Sequence, residues 1–173
     1  MWLEVSTSSV LMLPYTASSV GVARRRLVAD LTEAGVYETT ACDAGLVLSE
    51  LISNALRHAT PLPGAAVRVA WQIAGDCVEI AVSDGGGPTV PEVNEPGSSA
   101  VGGRGLGIVE RLSLRWGAYP SADGVGGMTV WAELALSTEG EHADSGQPDT
   151  TANVAASEAR DEPGLVIASS RDA

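Results

Sequence analysis

The chain has 173 residues, 45% of them hydrophobic, and a formal net charge of −12. That is enough apolar material for one domain with a real core, and the acidic balance excludes an ordinary nucleic-acid binder. All ten cationic side chains are arginine, which excludes a phosphate-loop lysine, a protein-kinase strand lysine and a Schiff-base lysine and leaves phosphate chemistry to backbone amides, arginine and metal.

Residues 8 to 13 predict a strand that Pro14 stops. Ser18 or Ser19 is placed to cap a helix whose apolar positions, Val20, Ala23, Leu27, Val28 and Leu31, lead to Gly35 as a C-terminal stop. Its Arg24-Arg25-Arg26 run reads as a solvated face, with a partner-docking patch as the sharper alternative.

A second helix opens at Thr39 or Thr40 and ends in the loop of Pro61, Pro63 and Gly64. Leu48, Leu51, Ile52, Ala55 and Leu56 form its core face, and Glu50, Asn54 and His58, each four apart, line a polar stripe beside it. A carboxylate and a carboxamide one turn apart on a rigid helix can take a proton from a nucleophile and offer an oxygen to a hard cation. A solvated helix face carries the same residue types, so the stripe by itself leaves both readings open.

Two alternating strands follow, Val67 to Ile73 and Val78 to Val82, with Gly75-Asp76 as the hairpin turn between them. Asp84 continues the inward series of Val78, Ile80 and Val82, which aims its carboxylate toward the core, and Gly85-Gly86-Gly87 then lets the backbone bend close to a ligand. A plain Asp-Gly turn is the alternative. Residues 88 to 101 read as a long loop. Gly102 to Gly107 open onto the helical pattern Ile108, Val109 and Leu112, where amides at the positive end of a helix dipole hold an anion without lysine.

The last predicted strand runs through Val130, Ala132, Leu134 and Leu136. From 137 to 173 the periodicity vanishes, and eight acidic residues against two arginines give −6, half the total charge. That composition predicts a disordered tail. Cys42 and Cys77 match neither a metal spacing nor a disulfide framework, and no run of about eighteen apolar residues occurs, so the expectation is a cytoplasmic protein with reduced thiols and no membrane association.

In order, ELISNALRHA, VSDGGGP, GGRGLGIV and GGMTVWAEL resemble the motifs of the GHKL ATPase superfamily, whose ATP site is the Bergerat fold. The resemblance covers most of residues 8 to 136 and is greatest to the stand-alone anti-sigma-factor serine/threonine kinases. It implies an α+β, two-layer α/β sandwich: a mixed, mostly antiparallel sheet with helices on one face, occupying residues 1 to 136. It also implies ATP and Mg2+ as cofactors, with Glu50 as general base and Asn54 as the magnesium ligand. Asp84 would accept from the adenine amino group, and Gly86 belongs to the same motif. Gly103, Gly105, Leu106 and Gly107 would line the triphosphate, and Thr129 would stand near the adenine pocket and phosphates. The implied partners are a small anti-sigma-factor antagonist protein, phosphorylated on Ser or Thr, and a sigma factor, with a homodimer through the first strand and helix. One departure stands out: Pro88 occupies the last position of the usual Asp-x-Gly-x-Gly, where it removes an amide donor and fixes a backbone angle. That favours, as an alternative, a non-catalytic ATP-binding switch.

Overall fold

The structure, a computed structural model, describes residues 8–88, 104–121, 127–136 and 166–167. The elements in chain order are β1 (Ser8–Pro14), α1 (Ser18–Glu33), α2 (Glu38–His58), β2 (Ala66–Ala74), β3 (Cys77–Asp84), α3 (Arg104–Leu112), β4 (Arg115–Pro120), β5 (Met128–Ala135) and the two-residue β6 (Val166–Ile167). They form one sheet of order β1-β2-β3-β5-β4-β6, and every described pairing is antiparallel. The architecture is the expected α+β sandwich, with a wholly antiparallel sheet among the described strands where a mixed one was expected.

Strand alternation builds the core. Val67, Val69 and Trp71 of β2, Val78, Ile80 and Val82 of β3, and Val130, Ala132 and Leu134 of β5 are buried together with Leu27 and Leu31 of α1 and Val47, Leu48, Leu51 and Ile52 of α2. The other parity of the sheet carries Glu79, Gln72 and the exposed Val10 and Met12. With no phenylalanine available, the large buried side chains are aliphatic apart from tryptophans such as Trp116.

Helix ends follow backbone chemistry more than side-chain caps. Gly35 adopts φ +81°; Gly35 N–H donates to Thr32 O and Val36 N–H to Leu31 O, which closes α1 in a Schellman turn and buries Val36. At the other end neither expected serine caps the helix: Ser19 Oγ donates to Pro14 O at 2.6 Å and so ties α1 to β1. Helix α2 begins at Glu38, just ahead of the expected threonines, again with no side-chain cap. Asp30 joins α1 to the sheet by accepting from Ser9 Oγ at 2.9 Å and Trp71 Nε1 at 3.2 Å while pairing with Arg26 at 2.9 Å. The Arg24 to Arg26 run is otherwise an exposed face. Strand β4 was not expected; its inward residues are only Trp116 and Ala118, separated by Gly117.

Among the described residues no helix is long and apolar enough to cross a membrane. The expected loop at 88–101 and tail at 137–173 lie outside the described residues except for Pro88, Val166 and Ile167.

Candidate functional site

The site is assembled where the C-terminal end of α2 meets the end of β3. After α2, Thr60 N–H donates to Gly86 O at 2.8 Å, Gly85 N–H donates to Thr60 O at 2.8 Å, and Thr60 Oγ1 donates to Gly86 O at 3.0 Å. The glycine loop therefore lies flat on the helix end. Gly85 has no room for a side chain there, because an added Cβ would sit 2.5 Å from Pro61 O. Gly86 takes φ +80°, the left-handed conformation that glycine accepts without strain.

This join holds Asp84 at the floor of the site. Its side chain is 3% exposed, as its inward parity predicted. Oδ1 accepts the Gly86 N–H at 2.7 Å. Burial pushes its carboxyl above the ordinary aspartate range, and the Gly86 hydrogen bond opposes that shift. A buried carboxylate with one oxygen committed is an acceptor suited to an N–H donor. Tyr15, at the end of β1, stands nearby, with its hydroxyl 2.5 Å from Ala55 O and 2.6 Å from Ala59 O. Burial raises its pKa, and the charge of Asp84 adds to the rise.

Glu50 and Asn54 are half-buried on the same helix that Thr60 pins to the glycine loop. Arg57 Nη2 lies 4.0 Å from Glu50 Oε2, a long ion pair in which the guanidinium is about half exposed. His58 is exposed, and its carbonyl is the surface on which Gly87 packs. The second glycine motif is placed differently from its expected position ahead of a helix: α3 already starts at Arg104, so Gly105, Leu106 and Gly107 form its first turn. First-turn amides have no partner inside the helix, which keeps them available to an anion. The Leu106 side chain is in the core at 7% exposure, so only its backbone is free for that role. Gly103 lies outside the described residues.

Thr129 is not brought to Asp84. Register sets it opposite Ser83, and its hydroxyl lies 2.8 Å from Ser83 Oγ and 2.9 Å from Ser121 Oγ. Met128 is the residue paired with Asp84. A shallow cavity of about 280 Å³ lined by Thr40, Asp43, Arg111 and Leu134 lies at the far end of α2, about 24 Å along the helix axis from Ala59 at 1.5 Å per residue. It has no part in the arrangement around Asp84.

The match to the family model of the histidine kinase-like ATPase domain spans residues 13–134. The chain belongs to this ATPase family. Its fold is also that of the crystal structure of the RsbU and RsbW domains of Rv1364c from Mycobacterium tuberculosis, at a TM-score of 0.56 and 23% identity over 75% of this chain and 32% of that one. The chain thus spans about a third of the length of that structure. No curated protein sequence matches it.

ATP binding goes with membership of this family; among the described residues, the buried acceptor Asp84 and the first-turn amides of α3 are groups of the chemistry that a nucleotide needs. Among the described residues no three His, Cys, Asp or Glu side chains come together to hold a metal. Tyr15, Arg57, Thr60 and Met128 escaped the sequence reading. Of these, Arg57, inside the ELISNALRHA motif, and Met128, inside GGMTVWAEL and in phase with Val130, Ala132 and Leu134, carried a local signal.

Proposed function

We propose that this ATPase domain binds magnesium-ATP and transfers the γ-phosphoryl group to a serine or threonine of a small antagonist protein, and that it regulates a sigma factor by binding it. The observation that carries the reading is the join between α2 and β3. A buried carboxylate, with one oxygen accepting the Gly86 N–H, ends the strand whose following loop is hydrogen-bonded to the stretch just after the helix that bears Glu50 and Asn54. The resemblance of its motifs to the anti-sigma-factor kinases supports the substrate and partners. The exposed Val10 and Met12 of edge strand β1, each 57% exposed, support self-association through that strand.

Magnesium-ATP supplies the phosphoryl group and much of the charge neutralisation around it. The chain supplies position and a base. Asp84 accepts from the amine edge of the purine and fixes the molecule's orientation. Asn54 would hold the metal through its carboxamide oxygen, and the first-turn amides of α3 would hold the phosphate oxygens. Glu50 takes the proton of the attacking hydroxyl as its oxygen bonds to phosphorus and ADP leaves.

Calorimetry of the intact chain with magnesium-ATP tests the binding step. Micromolar affinity or better, about −8 kcal/mol, is expected, with most of it lost in Asp84→Asn. Glu50→Ala should bind ATP and transfer phosphate to an added antagonist about 10²–10⁴ times more slowly. Normal transfer by that variant would remove Glu50 from the mechanism. A second reading, an ATP-binding switch without transfer, is favoured by Pro88 in the glycine motif and by the engagement of Glu50 with Arg57. Measurable ATP affinity with no transfer by the unaltered chain would establish it.

A further inference from the structure

The strand that pairs with β3 places a residue beside Asp84 to which no role has been given. In the register of β3 and β5, Asp84 faces Met128, Ser83 faces Thr129 and Val82 faces Val130. Side chains alternate along both strands, so Met128 shares the helix-facing side with Asp84, Val82 and Val130, while Thr129 shares the opposite face with Ser83. The contacts agree. Thr129's hydroxyl is engaged by Ser83 and Ser121, whereas Met128 packs against the core and keeps part of its surface open. Gly127 presses so closely on the Asp84 carbonyl oxygen that a side chain there would overlap it, which holds the start of β5 against the end of β3.

We propose that Met128 is a specificity-determining residue of the nucleotide site: its thioether packs against the purine ring whose amine Asp84 accepts. The proposal rests on the ATP reading above and deepens it. The two neighbours divide the recognition. Asp84 is a directional acceptor and rejects a base that turns a carbonyl oxygen toward it. Met128 is flexible and polarizable, makes favourable contacts with aromatic rings, and rewards a large flat base without demanding a particular hydrogen-bond pattern. Met128 thus favours purines over the smaller pyrimidines, and Asp84 then favours adenine among the purines. Thr129, held from two sides on the other face, braces the ends of β3, β4 and β5.

The test compares ATP, GTP and CTP binding to the full chain and to Met128→Ala, Met128→Leu and Thr129→Val, together with the methionine methyl NMR signals of the unaltered protein. The expected result is that Met128→Ala weakens ATP about tenfold, narrows the gap between ATP and CTP, and leaves the preference for ATP over GTP in place. Met128→Leu, of similar volume, should recover most of the loss. Thr129→Val should change ATP affinity less than Met128→Ala does. The Met128 methyl signal, identified by its absence from Met128→Leu, should move upfield on ATP addition under the ring current of the base. If the unaltered chain binds ATP while its Met128 signal stays in place and Met128→Ala binds equally well, the proposal is overturned and the ATP reading survives. If the unaltered chain binds no nucleotide, the ATP reading is overturned and this proposal with it.

Discussion

Replacing Gly85 with alanine would test the join on which the site depends. The new methyl carbon would lie 2.5 Å from Pro61 O, 2.8 Å from Thr60 Oγ1 and 3.0 Å from Thr60 O. Carbon–oxygen contacts settle near 3.3–3.6 Å, so the loop must lift by roughly 0.8 Å from atoms that are mostly backbone and cannot swing aside. The lift strains the bonds from Gly85 N–H to Thr60 O and from Thr60 N–H to Gly86 O, each 2.8 Å long. Overpacking costs about 1–3 kcal/mol, and each weakened bond adds up to about 1 kcal/mol. The expected loss is roughly 2–4 kcal/mol out of a typical total of about 5–15 kcal/mol. Gly35→Ala is the matched control: at φ +81° with nothing within 4 Å, it carries conformational strain alone, about 1–2 kcal/mol. Urea unfolding followed by the fluorescence of buried Trp71 and Trp116 measures both. If Gly85→Ala loses no more stability than Gly35→Ala, the packing argument is refuted.

Asp84→Asn should be more stable than the unaltered chain at pH 7. Burial raises the folded-state pKa, so stability is fully present below the ordinary value of 3.8 and is lost as pH rises through the folded value; asparagine has no charge to bury. The difference in urea midpoint should shrink as pH falls toward 4, and a gap independent of pH would contradict it. Tyr15→Phe removes the hydroxyl that meets the Ala55 and Ala59 carbonyls, at a cost of about 1 kcal/mol in the same assay. In the unaltered protein the Tyr15 absorbance should titrate above pH 10. Burial, then Glu133 and Asp76, push the Cys77 thiol up to about 11, so roughly a thousandth of it is thiolate at pH 8. Thiol labelling at pH 8 should find exposed Cys42 reactive and Cys42→Ser nearly inert; a fast thiol in that variant would refute the account.

Much of this was legible in local pattern. Gly35 after Leu31 announced the end of α1, and the parity of Val78, Ile80 and Val82 aimed Asp84 inward before any fold was known. β4 escaped because two inward residues around Gly117 make too short an alternation to separate from a loop. Tyr15 and Thr60 escaped for another reason: their partners lie 40 and 44 residues away in one case and 26 in the other, and no local window holds both ends. Thr129 shows how narrow the margin is. Motif resemblance pointed to the threonine, while the alternation of Val130, Ala132 and Leu134 already put it on the opposite face and left Met128 beside Asp84.

The pairing of Thr60 with Gly85 and Gly86 makes the stretch from Ala59 to Pro61 a spacer of set length between two chemistries that share no residue. Insertions are usually well tolerated where helices run into loops. Here one added residue would displace Asp84 relative to Glu50 and Asn54 without altering any of the three side chains. Families of such domains should therefore vary freely in the hairpin at Gly75 and hold the length of this stretch constant.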